Sequence, residues 1–267
     1  MKVPLATAQT PALRARTGLA QGRALQVTPA LAGGKPRRSP EPKRRALMQQ
    51  LKHLGIIPDG NRRWARAQGK PEWYGHQVGI ARFRDVIGWC RELKIAELTF
   101  YTLSVQNFKR DAEELNHLFT FIRAEIRQWR KGTDIRINPV GRLGMLPADI
   151  AEQCRQLAEQ TKLNNTIKVN LAIGYGGREE LLDTVQRLVG SKQPLTEENV
   201  SRSLWIPEDL DLVIRTSGEM RTSNFLIWQA SYAEWFFSRK YWPEFDKSEL
   251  LKAIESFNGR ERRFGGK

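Results

Sequence analysis

The chain has 267 residues, of which 40% are hydrophobic and 27% are charged, a composition that favours one sizeable globular domain with a full core. Its two cysteines, Cys90 and Cys154, are too few for a disulfide framework or a cysteine metal site and are expected to be reduced thiols. No run approaches about eighteen consecutive apolar residues, which excludes a conventional membrane-spanning helix. We therefore expect a globular protein of a reducing compartment, with the cytoplasm as the default location.

The net charge of +15 is unevenly distributed. Residues 1–47 hold ten Lys or Arg and one acid, Glu41, so +9 of the charge lies in this N-terminal tail. The tail is rich in Ala, Pro, Gly, Thr and Arg without a sustained period, which predicts disorder. An Arg-rich, acid-poor start also suits an organelle-targeting peptide, and Met48 is an alternative start of the chain. The folded domain is expected to be residues 48–267.

Apolar runs that alternate with amphipathic segments predict the secondary structure. Short apolar runs predict strands at residues 54–57, 97–103, 135–140, 166–173, 210–214 and 235–237. Helical spacing and composition predict helices at residues 64–68, 77–93, 113–131, 147–162, 179–189, 197–204, 225–233 and 248–258. Residues 59–63 and 71–76 are expected to form a loop and a turn. This alternation predicts an α/β fold, a single domain with a mainly parallel central sheet covered by helices on both faces.

The first predicted strand ends in one carboxylate, one glycine and two arginines, within Asp59-Gly-Asn-Arg-Arg63. In open α/β sheets, ligands bind at the carboxyl ends of the strands. Gly60 allows a ligand to approach the backbone closely, and the forked guanidinium groups of Arg62 and Arg63 suit phosphate. A carboxylate repels phosphate unless a cation lies between them, so Asp59 indicates a hard ion such as Mg²⁺. The alternative interpretation is an Asp-Gly turn beside solvated arginines.

Three later strands also end in clusters of Gly, Arg, Asn and Ser. Because parallel strands end at one edge of the sheet, a single pocket can collect these clusters and bind two or more phosphates. Its expected members are Asn61, Arg62, Arg63, Asn107, Arg178, Arg215, Arg221 and Ser223. For any one of the arginines, a solvated surface charge is the alternative interpretation.

Several motifs in a fixed order resemble a known family. They are Asp59-Gly-Asn-Arg-Arg-Trp64, Gly75-His76, Ser104 to Asn107, Tyr175-Gly-Gly-Arg178, Ile214-Arg-Thr-Ser-Gly-Glu-Met-Arg-Thr-Ser-Asn-Phe225, Tyr232-Ala-Glu234, Trp242-Pro243 and Arg260-Glu-Arg-Arg-Phe-Gly265. The set is similar to the cis-prenyltransferases, the family of undecaprenyl diphosphate synthase and dehydrodolichyl diphosphate synthase. The resemblance covers residues 53–266 and leaves the tail outside it.

The resemblance implies an undecaprenyl diphosphate synthase-like fold and a Mg²⁺-dependent enzyme. Such an enzyme condenses isopentenyl diphosphate, in cis, onto an allylic diphosphate such as farnesyl or geranylgeranyl diphosphate, for lipid-carrier biosynthesis. It implies catalytic roles for Asp59 and Asn107, and metal binding by Asp59 and Glu234. The substrate-binding residues that it implies are Gly60, Asn61, Arg62, Arg63, Trp64, His76, Ser104, Phe108, Arg110, Arg178, Arg215, Glu219, Arg221, Ser223, Arg263 and Gly265.

The resemblance also implies which substrate each group of these residues binds. The allylic diphosphate is expected among Asn61, Arg62, Arg63 and His76. Isopentenyl diphosphate is expected among Arg215, Arg221 and Ser223, with Glu219 orienting that cluster. In the family, the residues matching Arg263 and Gly265 reach the site of a partner subunit, which implies a homodimer.

The growing hydrocarbon requires an apolar tunnel, and a long product would leave it by peripheral contact with a membrane. The candidate tunnel residues are Ile80, Phe83, Leu103, Leu118, Phe119 and Ile122, with ordinary core as the alternative for each. Ile80 stands where small residues are frequent in the family, which would shorten the tunnel. Arg62 replaces a glycine of many bacterial members and resembles the archaeal and eukaryotic pattern.

Two other functions are weighed against this one. A short-chain or irregular isoprenyl diphosphate synthase on the same fold is the closest alternative, whereas a trans-type synthase is disfavoured because the chain has no Asp-Asp-any-any-Asp motif. Nucleic-acid binding, a function of a different class, would use the net charge of +15. Because most of that charge lies in the tail and no base-reading motif is visible, we expect no nucleic-acid partner.

Deletion of residues 1–47 separates these functions. We expect prenyltransferase turnover to survive the deletion, because every motif of the resemblance lies after residue 52. Any retention of nucleic acid should fall, since the charge of the tail is removed. Turnover and salt-dependent DNA retention of the full chain and of the truncated chain are the measurements. Loss of turnover with intact folding would contradict the assignment of function to the domain.

Overall fold

The structure is a computed structural model that describes residues 51–260. The strands are β1 (His53–Ile57), β2 (Glu97–Ser104), β3 (Arg136–Val140), β4 (Lys168–Tyr175), β5 (Leu212–Arg215) and β6 (Glu234–Phe237). The helices are α1 (Asn61–Ala67), α2 (Glu72–Glu92), α3 (Ala112–Arg130), α4 (Ala148–Thr161), α5 (Gly177–Gly190), α6 (Glu197–Ser203) and α7 (Lys247–Asn258). Short 3₁₀ turns occur at Val105–Lys109, Leu143–Met145 and Trp242–Glu244. The predictions for residues 1–47, Arg263 and Gly265 lie outside the described residues.

The six strands form one sheet in the order β3-β4-β2-β1-β5-β6, and every neighbouring pair is parallel. This confirms the prediction of a mainly parallel sheet. β1 lies in the middle, between β2 and β5, so the loop after β1 is close to the loops that follow both neighbours. All five residues of β1 are buried, as expected for a strand that is covered on both faces.

The two faces of the sheet form two hydrophobic cores, because successive side chains of a strand point to opposite faces. Leu54 and Ile56 of β1 belong to the first core, which contains residues of α2, α3, α4 and α7 such as Phe83, Ile126, Leu157 and Leu250. Ile57 belongs to the second core, whose cover includes Ile206, Leu210, Phe225 and Leu226. The sheet is therefore covered on both faces, as predicted.

Two helix starts were predicted wrongly. Residues 59–63 were expected to be a loop, but α1 begins at Asn61, because Gly60 caps the helix with a left-handed backbone at φ 103°. Residues 71–76 were expected to be a turn, but α2 begins at Glu72 directly after Pro71. Pro71 itself has an extended backbone, so the helix begins only at the next residue. Asn61, Arg62 and Arg63 consequently lie in the first turn of a helix.

The helix predicted at residues 225–233 is wrong. The structure has a series of turns there, and the backbone of Asn224 and Leu226 is left-handed, at φ 62° and 42°. Phe225 and Leu226 are nevertheless fully buried, and the Phe225 ring stacks on Tyr101 with 4.9 Å between ring centroids. The apolar spacing of this segment therefore reflects burial against the second core rather than helical periodicity.

The cysteines and the described helices bear on two expectations drawn from composition. Cys90 and Cys154 are buried free thiols, and burial raises the pKa of Cys90 to about 12 and that of Cys154 to about 11. Both thiols are therefore protonated at neutral pH. Within residues 51–260, each helix is either too short or too polar to span a bilayer.

A chain of buried polar groups crosses the sheet near the amino ends of the strands. The tautomer of His53 that satisfies its neighbours donates from Nδ1 to the carbonyl of Asp209 (3.0 Å) and accepts at Nε2 from the Thr99 hydroxyl (2.7 Å). Asn170 donates to Thr99 Oγ1 (2.9 Å) and to Glu97 Oε1 (2.6 Å). Every side chain in this chain of groups has a partner, which is the condition for burying it.

We expect the protein to lose stability as the pH falls through about 6.5. Burial lowers the pKa of His53 below its ordinary value of 6.5, although the charge of Glu97 opposes the shift. The unfolded chain therefore takes up a proton that the folded chain resists, and the free energy of unfolding decreases with acidification. Urea unfolding between about pH 7.5 and about pH 5.5 measures this decrease.

His53→Gln should flatten this part of the pH dependence, because it removes the titrating group. His117→Gln is the matched control, since it removes a histidine that the sheet does not enclose. An unchanged pH dependence in the His53 variant would contradict the assignment.

Candidate active site

Asp59 lies just beyond the carboxyl end of β1 and is bound by two arginines. Arg215 Nη2 donates to Asp59 Oδ2 (2.9 Å), and Arg63 Nη2 donates to Asp59 Oδ1 (3.1 Å). Burial would raise the pKa of Asp59, but the hydrogen bonds and positive charges of Arg215 and Arg63 lower it below the ordinary value. The carboxylate is therefore ionised at neutral pH.

Arg215 connects Asp59 to the loop that follows β5. It is 3% exposed, and its Nη1 donates to Ser223 Oγ (2.6 Å) and to the carbonyl of Arg221 (2.5 Å). A guanidinium group has five N–H donors in a fixed plane, so it can hold several acceptors in one arrangement. Arg215 thereby fixes the positions of Ser223 and of the Arg221 backbone relative to Asp59.

Glu219 links Arg63 to Arg221, the third arginine of this cluster. Its Oε1 accepts from Arg63 Nη1 (3.0 Å), and its Oε2 accepts from Arg221 Nη1 (2.5 Å). Arg63 also donates to Ser217 Oγ (2.7 Å) and lies 5.7 Å above the centroid of the Tyr241 ring. One carboxylate therefore positions both guanidinium groups, and the role of Glu219 in orienting a substrate-binding cluster stays a prediction.

Two glycines allow the backbone segments of the site to approach closely. At Gly60, where φ is 103°, an added Cβ would lie 2.5 Å from the Tyr241 ring. At Gly75, an added Cβ would lie 2.1 Å from the carbonyl oxygen of Asn61, where α1 meets α2. A larger residue at either position would displace α1, which carries Arg62 and Arg63.

A second group of basic side chains surrounds Glu114, in the first turn of α3. Arg110 Nη1 donates to Glu114 Oε1 (2.9 Å), while Arg62 Nη1 and His76 Nε2 each lie 3.5 Å from a Glu114 oxygen. The interaction with His76 lowers the pKa of Glu114, and the charges of Arg110 and Arg62 lower it further against the effect of burial. Two guanidinium groups and one imidazole thus converge on one anion, as they would on a phosphate group.

Ser104 and Asn107 form a reciprocal cap at the carboxyl end of β2. The Ser104 hydroxyl accepts from the backbone N–H of Asn107 (3.2 Å), and Asn107 Oδ1 accepts from the backbone N–H of Ser104 (2.9 Å). This cap begins the 3₁₀ turn Val105–Lys109. The Asn107 side chain lies at the site, but its oxygen is already used by the backbone.

One cavity of about 920 Å³ joins the two groups of basic side chains to an apolar interior. Its polar end includes Asp59, Asn61, Arg62, Arg63, His76, Ser104, Asn107, Arg110, Arg215 and Ser223. Its apolar walls include Ile80, Phe83, Leu103, Leu118, Phe121, Ile122, Ile126, Trp129, Leu157, Leu171 and Trp242. Of the predicted tunnel residues, Phe119 alone does not line the cavity, and it contacts Phe108 instead, with 6.3 Å between ring centroids.

Other predicted site residues lie away from the cavity. Trp64 stacks on Tyr74, with 6.1 Å between ring centroids. Phe108 packs against the first core. Arg178 is exposed at the start of α5, and its backbone N–H donates to Asn224 Oδ1 (2.9 Å).

Glu234 is not near Asp59 in this chain. It begins β6 beside Leu212 at the start of β5, whereas Asp59 lies beyond the opposite ends of these parallel strands. Its Oε2 accepts from Arg260 Nη1 (2.6 Å). Asp59 and Glu234 of one chain therefore do not share a metal ion.

The sequence prediction missed Glu114, Glu72 and Ser217. Glu72 accepts from both Arg62 and Arg66, and Ser217 accepts from Arg63. A signal for Glu114 was present, since an acidic residue in the first turn of a predicted helix closely follows the polar end of β2. Nothing local distinguishes Ser217, because its partner is 154 residues away.

Comparison with known proteins agrees with this geometry. The family model of undecaprenyl diphosphate synthase matches residues 57–265. The tritrans,polycis-undecaprenyl-diphosphate synthase (geranylgeranyl-diphosphate specific) of Thermococcus kodakarensis is 41% identical over 228 residues, or 80% of this chain and 86% of that protein. The isoprenyl transferase of Thermotoga maritima is 41% identical over 229 residues, or 82% of this chain and 98% of that protein.

Two crystal structures share the fold. A probable undecaprenyl diphosphate synthase from Campylobacter jejuni is 32% identical with a TM-score of 0.71, and the match covers 80% of this chain and 98% of that one. Lavandulyl diphosphate synthase from Lavandula x intermedia, in complex with dimethylallyl diphosphate, is 30% identical with a TM-score of 0.74 and the same coverage.

The parallel sheet, the cationic site and these matches define a prenyltransferase. The chain belongs to the undecaprenyl diphosphate synthase family, whose members are cis-prenyltransferases. The family assignment made from the motifs is thereby confirmed.

Replacing Arg215 by Met should destabilise the fold, because it leaves the Asp59 carboxylate and the Arg221 carbonyl without their main donor. We expect a loss of about 2 to 3 kcal/mol in the free energy of unfolding, less than for a fully buried pair because Asp59 keeps contact with solvent. Urea unfolding of the variant and the parent protein measures the loss.

Arg123→Met is the control, since Arg123 and Asp149 form an exposed pair with similar hydrogen bonds of 2.7 and 2.9 Å. It should change stability little. Equal effects of the two substitutions would show that Arg215 has no special structural role.

Proposed function

We propose that this prenyltransferase condenses isopentenyl diphosphate with an allylic diphosphate primer and uses Mg²⁺. The observation that carries the proposal is the position of Asp59, an ionised carboxylate between Arg63 and Arg215 at the polar end of a cavity with apolar walls. An amphiphilic substrate with a diphosphate head and a hydrocarbon chain matches both ends of that cavity.

The basic side chains on the two sides of Asp59 support two diphosphate subsites. Arg62 and His76, together with Asn61, are proposed to bind the allylic diphosphate, and Arg110 lies beside them. Arg215, Arg221 and Ser223 are proposed to bind isopentenyl diphosphate. Arg63 contacts both Asp59 and Glu219, so it lies between the two subsites.

The residues fit a Mg²⁺ ion that is held partly by substrate. Within residues 51–260, His, Cys, Asp and Glu do not form a group of three or more that could hold a metal on its own. Mg²⁺ is commonly bound by one or two carboxylates together with phosphate oxygens, and Asp59 supplies the ionised carboxylate. The bound ion would neutralise charge on the diphosphate leaving group. The proposed metal role of Glu234 requires an arrangement other than the single chain described.

The side chains of this protein would act mainly by positioning and by electrostatics. The nucleophile of such a condensation is an alkene, so no serine, cysteine or histidine nucleophile is required. Fixed arginines stabilise the negative charge that develops on the departing diphosphate. Holding two substrates in reactive geometry supplies a further part of the rate. Asn107 is proposed to assist near the reacting carbon.

The cavity favours chain elongation over a single condensation. Its apolar walls continue from Ile80 to Trp129, well beyond the polar end. We propose geranylgeranyl diphosphate as the primer, because the name of the Thermococcus kodakarensis relative specifies it and because Arg62 follows the archaeal and eukaryotic pattern. The lavandulyl diphosphate synthase match keeps a short product as an outcome of the assay.

A homodimer and peripheral membrane contact complete the proposal. The resemblance of Arg263 and Gly265 to residues that reach a partner subunit's site in the family supports the homodimer, and both residues lie outside the described part of the chain. A long polyprenyl product is insoluble in water, which supports release at a membrane surface.

Asp59→Asn should lower turnover by at least about hundredfold, because it removes the charge that would bind Mg²⁺ and orient the two arginines. The assay combines labelled isopentenyl diphosphate, geranylgeranyl diphosphate and Mg²⁺, and resolves products by chain length. Chelation of Mg²⁺ should abolish turnover in the parent enzyme, and added Mg²⁺ should restore it.

Asp183→Asn is the matched control. Asp183 is also paired with an arginine, Arg142, through hydrogen bonds of 2.9 and 3.3 Å, but it lies outside the cavity. It should retain turnover. Near-normal activity of the Asp59 variant would refute the proposed mechanism, and products that stop at ten or fifteen carbons would refute chain elongation.

A further inference from the structure

Glu125 is an acidic residue in an otherwise apolar wall. The side chains of α3 that line the cavity follow helical spacing and are Leu118, Phe121, Ile122, Glu125, Ile126 and Trp129. Glu125 is 8% exposed, and acidic residues are rarely buried to this degree unless they are paired. Among the described residues that line the cavity, only Glu125 and Asp59 are acidic.

The partner of Glu125 reaches it from outside the cavity. Arg84 of α2 donates from Nε to Glu125 Oε2 (3.0 Å) and from Nη2 to Oε1, a bidentate pair. The Arg84 side chain is 53% exposed and does not line the cavity. The pair therefore crosses the contact line, the seam where α2 packs against α3. Arg84 lies on the solvent side of this seam, and Glu125 lies on the cavity side.

Two further contacts connect α2 to α3 or to the segment just after it, one on each side of this pair. Near the polar end, Trp73 stacks on His117 with 5.8 Å between ring centroids. At the far end, Arg91 Nη2 donates to Asp134 Oδ2 (2.5 Å) just beyond α3. Neither contact includes a residue that lines the cavity. The Arg84–Glu125 pair therefore differs from both because its acid faces the interior.

Glu125 lies at a defined depth. It is eleven residues after Glu114, the residue that contacts Arg62 and His76, which corresponds to about 16 Å along α3. A hydrocarbon chain that extends from the polar end along α3 thus meets the carboxylate after passing Leu118 and Ile122. Hydrocarbon cannot hydrogen-bond to a carboxylate and excludes solvent from it, so passage of the chain is opposed at this depth.

We propose that the Arg84–Glu125 pair limits product chain length. The inference rests on the proposed function and assigns to that site a specificity-determining pair. The carboxylate of the pair opposes hydrocarbon beyond this depth, so that release competes with further condensation once the chain arrives there.

The double variant Arg84→Leu and Glu125→Leu tests the proposal. Removing both partners together leaves no unpaired charge at the buried position of Glu125, so folding should be preserved. We expect retained turnover, a most abundant product that is longer by at least one isoprene unit, and a ratio of longest to shortest product that rises about tenfold. The measurement is the product distribution from labelled isopentenyl diphosphate and geranylgeranyl diphosphate.

The control is the double variant Arg91→Leu and Asp134→Leu, which removes another ion pair near the same contact line without altering the cavity wall. Its products should match those of the parent enzyme. An equal lengthening in this control would show that loosening of the helices, not the buried carboxylate, determines length, and would overturn the proposal. An unchanged or shorter distribution in the Arg84 and Glu125 double variant would also overturn it.

If the double variant does not fold, Glu125→Gln tests the proposal instead, because it keeps the shape of the Glu125 side chain and removes its charge. It should lengthen the products by a smaller amount, and an unchanged distribution would refute the proposal. Failure of the parent enzyme to make any product would instead refute the proposed function, so the two failures are distinguishable.

Discussion

The binding of one carboxylate by two arginines organises this protein. Asp59 and Arg215 are 156 residues apart, and their 2.9 Å hydrogen bond joins the loop after β1 to the loop after β5. Without Asp59, Arg215 would lose its carboxylate partner at the edge of the sheet, and Arg63 would keep only Glu219 as a carboxylate partner. With Asp59, the two arginines form an ordered cationic surface that keeps capacity for further anions. The same ion pairs therefore serve both the stability of the strand ends and the chemistry proposed for them.

The sequence predicted most of the fold because the central strands are buried on both faces. Their apolar runs are distinct from the amphipathic helices, and the alternation of the two fixes a parallel sheet. The errors arose where local pattern and tertiary structure differ. The starts of α1 and α2 depend on the backbone of Gly60 and Pro71. Segment 225–233 has helical spacing, but the left-handed backbone at Leu226 and burial of Phe225 exclude a helix there.

The cationic end of the site was also predictable, since Arg62, Arg63 and Arg215 directly follow strands of one parallel sheet. The partners of these arginines were less predictable, because Glu114 and Ser217 become neighbours of the arginines only through tertiary packing. Glu125 was hidden for a different reason. It lies within an apolar helical stripe, and only the cross-helix contact with Arg84 makes its burial tolerable. These predicted arginines thus came from strand ends, and the missed residues from contacts between elements.

Trp242 shows why some positions of this fold are less free to diverge than others. Its backbone N–H donates to the carbonyl of Asp59 (3.0 Å), its indole N–H donates to the carbonyl of Gly79 (2.8 Å), and its ring lines the cavity beside Phe100. Replacing this side chain would remove the indole hydrogen bond to α2 and change the shape of the hydrocarbon wall together. Under the proposal for Arg84 and Glu125, product length could instead change through the facing surfaces of α2 and α3, which leaves the hydrogen bonds of Asp59 intact.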